Sequence, residues 1–402
     1  MDLAHSLEST TDQVIKCIDM HTTGEPTRIV YAGFPTLTGK TLLSQRDQAR
    51  DEYDHIRKRI MLEPRGHYDM YGAILTQSTE LVESGQAHIG VLFTHNGGYS
   101  TMCGHATIAL GRFLVDTRDV SVFPKRNELV LDTASQTVVV HLHAPCGLVH
   151  VTVPVTSTVD GFKSDPSRAV SFVSTPAYAA AISLTIPMPL ELRWGELGTR
   201  DSITLDVSYG GAFYALVSVE ELGFGRAGLG KVNLDVIIPV LGRLQTYLST
   251  HPDIITACQH PEDHRLSFLY SVMVVDSETG DTPEGVDGVE TGLCFFADSE
   301  IDRSPTGSCV VARMALAYAK GERRIRQRWA YHSVVSNHFK TGAFVGEIVQ
   351  MGLKVEGENG PARDAVVGRV EGSAFYTGTS SFVLEEGDVT GYSGFTLQSV
   401  TA

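Results

Sequence analysis

The chain has 402 residues, 42% of them hydrophobic and 20% charged, which suits two or three domains with real cores and does not suit a disordered chain. Its 32 basic and 47 acidic residues leave a net charge of −15. A chain this acidic repels polyphosphate and anionic bilayers, which sets aside nucleic-acid and membrane-surface roles. No apolar run approaches the roughly 20 residues needed to span a bilayer. Met1 to Lys16 is polar and has no apolar stretch of the kind a secretory signal carries. Six cysteines (Cys17, Cys103, Cys146, Cys258, Cys294 and Cys309) include no C-x-x-C pair. They read as reduced thiols and not as a disulfide framework, so the expected protein is soluble and cytoplasmic.

Strand-like runs come first along the chain: Val14 to Met20, Thr27 to Phe34, Ala73 to Gln77 and His88 to His95. Each is rich in Val, Ile, Leu or Phe, and most are bounded by turn-forming residues. A charged, helix-favouring stretch, Leu42 to Met61, interrupts them and ends at the breaker Glu63-Pro64-Arg65-Gly66. Further strand-like segments follow at Val138–Leu142, Val149–Val155, Leu205–Val207, Phe213–Val219, Ser267–Val275 and Phe344–Met351. With 39 glycines for tight turns, the pattern predicts an α+β protein of many strands and few helices.

Two segments predict helices that are apolar almost all round: Gly104 to Val115 and Gly307 to Ala319. A helix without a polar face must be buried on every side, here by sheet wrapped around it. Each follows a strand-like run and a polar loop, His95 to Met102 in one case and Asp298 to Pro305 in the other. The two units lie about half the chain apart, which suggests an internal duplication into two lobes. The expected first lobe is residues 1–165 with the Cys103 helix, and residues 377–402 are candidates for returning to it. The second is residues 166–376 with the Thr306 helix.

A helix start offers unpaired backbone N–H groups and the positive end of the peptide dipoles. Gly104 and Gly307 leave room for a carboxylate to reach those groups, and two facing starts would hold one between them. They would also stabilise the charge that develops when a proton leaves the carbon beside it. Cys103 stands at the first start, where the dipole favours a thiolate, a fitting base for a weak carbon acid. Thr306 stands at the second. Threonine is a favoured N-cap, so this residue has a purely structural reading as well.

Met102-Cys103-Gly104-His105 and Asp302-Arg303-Ser304-Pro305-Thr306-Gly307 resemble the two catalytic motifs of the proline racemase family. Asp19 to Pro26, Glu63 to His67, Tyr209 to Ala215 and the closing Gly394-Phe395 resemble further blocks of it, in order and over nearly the whole chain. The resemblance implies two pseudo-symmetric lobes, each a curved sheet or barrel around a central helix, with the active site between them. It implies no cofactor and no metal, a small imino acid as substrate, and a homodimer. Racemases of the family carry cysteine at both helix starts, one for each face of the α-carbon, whereas this chain has threonine at the second.

That Cys/Thr pair resembles the family's trans-3-hydroxy-L-proline dehydratases. In their substrate the α-hydrogen and the 3-hydroxyl share a ring face, so one base suffices to start an elimination. The implied roles follow. Cys103 takes the α-proton; Gly104, His105, Gly307 and Ser308 grip the carboxylate through backbone N–H groups; and Asp302 is the acidic partner of the ring nitrogen, with His105 in support. Thr306 contacts either the carboxylate or the hydroxyl. One departure from the family, Asp388-Val389 in place of Asp-Pro, falls in a loop.

Other constellations have weaker chemistry. Gly223 to Gly228 fits G-x-G-x-x-G but does not open from a strand into a helix, and it reads as a glycine-rich loop. His141, His143, Cys146 and His150 fit no common zinc spacing and read as strand-edge side chains. His251, His260, His264 and Asp263 read as a surface loop. The rival activities are a 4-hydroxyproline or proline epimerase, disfavoured by Thr306, and a non-catalytic imino-acid-binding protein, disfavoured by the intact Cys103 motif.

Overall fold

In the computed structural model every residue is described except 1, 12, 160, 226–227, 278, 298–299 and 402. The Gly223–Gly228 stretch and the loop ahead of Thr306 each include such positions, so these parts of the expectations lie outside the described residues. Backbone contacts divide the chain into two units. One comprises the chain up to Thr101, His105–Val170 and the segment from Ser373 on; the other comprises Met102–Gly104 and Ser171–Gly372.

Both units repeat one scheme of strand pairing. In the first, Ala374–Phe382 pairs antiparallel with Ile15–Thr22, which pairs antiparallel with Glu25–Ala32. Glu25–Ala32 then runs parallel to Gly72–Thr76, antiparallel to Ile89–His95, parallel to Thr137–Ala144 and antiparallel to Gly147–Thr158, each strand pairing with the one named before it. In the second, Tyr178–Pro187 pairs antiparallel with Ser202–Tyr209, and that strand antiparallel with Phe213–Ser218. The series continues parallel to Leu269–Asp276, antiparallel to Gly288–Phe296, parallel to Arg328–His332 and antiparallel to Phe344–Val355. The same alternation of antiparallel and parallel neighbours, in the same order, is what an internal duplication leaves behind.

The second unit closes on itself. Arg363–Gly372 pairs antiparallel with Phe344–Val355, and its Val366 exchanges backbone hydrogen bonds of 2.8 and 2.9 Å with Ala177, just ahead of the unit's first strand. Closure of this kind leaves few edge groups unpaired and encloses an interior.

Three helices position the site: α1 (Leu42–Met61), α2 (Gly104–Asp116) and α3 (Gly307–Ala319). Helix α1 is capped by a Thr41–Ser44 capping box, and its apolar face adds Leu42, Ala49, Ile56, Ile60 and Met61 to the first unit's core. Helix α2 is buried from Gly104 to Val115 and α3 from Gly307 to Leu316, as their all-round apolarity requires. The sheet lies close against them: a Cβ at Gly111 would come within 2.7 Å of Val151, and one at Gly210 within 2.5 Å of the Ala312 nitrogen. Helices α2 and α3 each bury one arginine. Arg112 bonds Ser164 Oγ at 3.1 Å and the Ala374 carbonyl. Arg313 pairs with Glu290 at 2.9 Å and lies over the Tyr331 ring.

The fold is mixed α/β with extensive sheet, as expected. One long helix was not among the expected elements: Leu234–Thr250 carries Pro239 and Gly242 in its interior, residues unfavourable to helix, yet Ile237, Val240, Leu241, Leu244 and Leu248 pack into the second unit's core.

Candidate active site at two helix starts

Cys103 immediately precedes α2 and is 3% exposed. The chain reaches it from a tight hairpin of Ile89–His95 with Gly98–Ser100. Arg57 of α1 shapes that hairpin's turn. Its Nη1 donates to the carbonyls of His95 at 2.5 Å and Asn96 at 2.7 Å, and Asp54 holds the rest of the guanidinium. Burial, with Arg57 close by, pushes the His95 imidazole down to about 3. It is therefore neutral, and its Nδ1 accepts the Gly97 N–H at 3.1 Å.

Cys103 and Gly104 belong with the second unit, where Gly104 abuts the start of α3. A Cβ on Gly104 would fall 2.5 Å from the Gly307 Cα and 2.9 Å from its carbonyl carbon; one on Gly307 would fall 2.9 Å from the Gly104 Cα. No side chain larger than hydrogen fits at either position. The two helix starts thus meet backbone against backbone, with Cys103 and Thr306 each one residue from the contact.

Thr306 occupies the N-cap position of α3 at φ 62°, ψ 82°, and its side chain makes no cap hydrogen bond. The purely capping reading of this residue therefore fails. Its hydroxyl donates instead to Asp302 Oδ2 at 2.7 Å, while Asp302 Oδ1 accepts the Ser304 N–H at 2.7 Å and Ser304 Oγ accepts the Thr306 N–H at 3.1 Å. Left-handed backbone is unusual for a β-branched residue and concentrates at functional sites. The Val310 N–H donates to the Thr306 carbonyl at 2.8 Å, so the Gly307 and Ser308 N–H groups lie ahead of that bond, at the positive end of the helix. Ser308 Oγ is 2.6 Å from the hydroxyl of Tyr214, a fully buried phenol that burial raises well above its usual range.

His105, the second residue of α2, lies in the first unit. Its carbonyl accepts the Thr22 hydroxyl at 3.0 Å, and its ring stands edge-on to Tyr71 with centroids 4.7 Å apart. Of the expected site residues, Cys103, Gly104, Asp302, Thr306, Gly307 and Ser308 thus all fall in one unit around one backbone contact, and His105 follows directly in the chain. Tyr214 and Ser304 were missed as partners of this site. Both sit inside the motif blocks, but their contacts depend on chain geometry that spacing does not carry.

Of the remaining thiols, Cys17, Cys258, Cys294 and Cys309 are buried and Cys146 is half-buried. Burial pushes Cys17 and Cys258 up to about 12 and Cys309 well above the usual thiol range, which suppresses the thiolate. The histidine cluster is a stack and not a ligand set: His141 lies flat on His88 at 4.8 Å and edge-on to His150 at 4.8 Å, while His143 bonds Thr79 at 2.8 Å. Among the described residues no group of three His, Cys, Asp or Glu side chains is arranged to hold a metal. Of the expected surface loop, His260 departs most. It is 3% exposed and packs 4.8 Å from the Tyr209 ring, because its Nδ1 accepts the backbone N–H of Glu262 and, apolar face inward, it completes the core. His251 caps the short helix Pro252–Ala257, and Asp263 caps the turn His264–Leu266. Among the described residues no helix is long and apolar enough to cross a membrane.

Comparison with known proteins adds three findings. A family model described as proline racemase matches residues 17–395. The trans-3-hydroxy-L-proline dehydratase of Homo sapiens is 39% identical over 93% of this chain and 92% of its own length, and that of Colwellia psychrerythraea is 31% identical over 98% and 95%. Among solved structures, a probable proline racemase from Agrobacterium radiobacter with bound carbonate superposes with a TM-score of 0.75 at 22% identity, covering 96% of this chain and 97% of its own. A hydroxyproline epimerase from Agrobacterium vitis with bound trans-4-hydroxy-L-proline gives 0.72 at 21% identity, covering 97% and 96%. At such identities these structures speak for the fold.

Proposed function

The chain belongs to the proline racemase family, and from that membership and its unequal helix starts we propose that it dehydrates trans-3-hydroxy-L-proline to Δ1-pyrroline-2-carboxylate, as a hydro-lyase. The observation that supports this reading is the backbone contact of Gly104 with Gly307, beside which the chain carries a thiol at Cys103 and a hydroxyl, not a thiol, at Thr306. A two-base racemisation needs an acid on each face of the α-carbon. A syn elimination needs a base on one face only.

In the proposed mechanism Cys103 removes the α-proton, and the N–H groups at the two helix starts, of Gly104, His105, Gly307 and Ser308, hold the substrate carboxylate while negative charge spreads onto it. The carbanion expels the neighbouring 3-hydroxyl, and Cys103, now protonated on the same face, hands its proton to the departing oxygen. Proton and hydroxide leave together as water. The resulting enamine tautomerises to the cyclic imine. Asp302 and Thr306 face the substrate's polar groups from the second start. The family resemblance supports a homodimer, and the unpaired cysteines support a cytoplasmic location. A panel of proline and its 3- and 4-hydroxy isomers tests the reading. Cyclic imine formed from trans-3-hydroxy-L-proline alone is the expected result, and epimerised product from a 4-hydroxy isomer would replace the dehydratase with an epimerase.

A further inference from the structure

Arg59 of α1 is 4% exposed, yet among the described residues no carboxylate lies within ion-pair distance of it. Its Nε donates to the Tyr392 carbonyl at 2.6 Å, its Nη1 donates to Gln13 Oε1 at 2.9 Å, and the guanidinium lies over the Tyr392 ring, 5.2 Å from the centroid. Neutral dipoles and a ring face fix the pose of the group without balancing its charge. Burial, followed by the nearby Arg65 guanidinium, lowers the Arg59 pKa, and what opposes them is the Tyr392 phenol, not a carboxylate. A buried cation without a counter-ion is costly, so an anionic group is its expected partner. Arg59 lines a cavity of about 1120 Å³, and Nη2 is the terminal nitrogen that makes no hydrogen bond to the described residues.

The rim of the cavity has the opposite sign. Asp388 pairs with Arg65 at 3.6 Å, whereas Glu385 and Glu386 are exposed and have no ion pair among the described residues. His55 stacks on Tyr392 with centroids 5.4 Å apart, and burial together with Arg59 lowers its pKa, so it adds no positive charge near neutral pH. One buried cation behind a rim of carboxylates repels a doubly charged phosphate or sulfate and suits a ligand that carries both signs. We propose that this cavity binds a free α-amino acid as its zwitterion, with the carboxylate on Arg59 and the ammonium toward Glu385 and Glu386. A guanidinium held in one pose presents its remaining N–H groups in the planar fork that a carboxylate fits. All these residues belong to the first unit and none has a part in the proposed catalysis, so the site stands whether or not the dehydratase reading does.

The test is titration calorimetry of the full chain with glycine, the smallest zwitterion, with acetate, which keeps only the carboxylate, and with inorganic phosphate. Glycine held at any other place is unaffected by a change at Arg59, so the difference between parent and variant isolates this cavity. Arg59→Gln should weaken both glycine and acetate by about tenfold or more, as expected when a charge-assisted hydrogen bond is lost, and Arg59→Lys, which keeps the charge without the fork, should fall between. The Glu385→Gln/Glu386→Gln double variant alters only exposed side chains and so keeps the fold. It should weaken glycine by about threefold, as exposed charges do, and should not weaken acetate. Phosphate should bind less tightly than glycine throughout. The proposal is overturned if the parent binds no glycine, if Arg59→Gln binds glycine and acetate like the parent, or if the double variant binds glycine more tightly. Phosphate binding more tightly than glycine would equally overturn it, as the mark of a simple anion site. Where Arg59→Gln does not fold, the double variant decides.

Discussion

Gly104→Ala is the substitution that most directly probes how the two helix starts meet. The added methyl would lie 2.5 Å from the Gly307 Cα, 2.9 Å from its carbonyl carbon and 3.0 Å from its nitrogen. All three are backbone atoms, which cannot swing aside as the end of a side chain does. Restoring ordinary contact at 3.4 Å or more requires the starts to separate by about 0.9 Å. Alanine improves helix propensity by roughly 0.5–1 kcal/mol, whereas forcing a methyl into packed backbone costs about 1–3 kcal/mol, so the net effect is a destabilisation on the order of 1 kcal/mol. Catalysis should suffer more, because a 1 Å misplacement of reacting groups costs about a hundredfold. Urea denaturation paired with kcat/KM on trans-3-hydroxy-L-proline reads both quantities, with Gly195→Ala, which has open space around it, as the control. Wild-type turnover in Gly104→Ala would show that the close approach is not what the chemistry needs.

Cys103→Ala should lose turnover altogether; imine formation above about a thousandth of the wild-type rate would remove the thiol from the mechanism. L-Proline should exchange its α-proton at most with retention, so D-proline accumulating with the unaltered enzyme refutes the one-base scheme. Thr306→Ala keeps φ 62° without the hydroxyl, whereas glycine is at ease there, so the Gly variant should be more stable than the Ala variant by about 1 kcal/mol in urea midpoints, and the reverse order would contradict the strain at this residue. Stability should also fall with acid. His95 and His260 are held neutral, at about 3 and about 4, chiefly by burial; the unfolded chain binds protons on both below pH 6.5 while the folded chain does not. Their contribution is complete above that pH and is lost as pH falls toward 4, with a slope approaching about 1.4 kcal/mol per pH unit for each histidine. A denaturation midpoint that is flat between pH 6.5 and 4.5 would show that these rings accept protons in place.

Sequence periodicity carried the buried helices well. Gly307–Ala319 matches its expected bounds and Gly104–Asp116 extends them by one residue, because a helix apolar on every face has only one kind of home. Leu42–Met61 was equally legible from its charges and the breaker after it. Strand Ala374–Phe382 was not: it is polar, largely exposed and uncharged, and only its pairing with Ile15–Thr22 defines it. Leu234–Thr250 was hidden by its own Pro239. At the site, glycine at 104 and 307 was read as room for an anion. The structure gives each a second reason, since each backbone occupies the space the other's Cβ would take. The bond from Thr306 to Asp302 depends on a left-handed turn that no spacing rule assigns to threonine.

The duplicated pairing scheme bears on how one family runs two reactions. Each repeat delivers a buried helix whose first residue is glycine, preceded by Cys103 in one and Thr306 in the other. In the proposed site the anion is held by backbone N–H groups beside glycines that permit close approach, so this part does not depend on what stands at 103 or 306. Carbanion stabilisation and the choice of reaction are therefore separable. In the proposed mechanism backbone N–H groups that hold the carboxylate make the α-proton removable whatever follows, and the fate of the carbanion is then set by whether a proton waits on the far face. In the proposed reaction the Thr306 proton is held by Asp302 at 2.7 Å, and a neighbouring hydroxyl on the near face is the group that leaves.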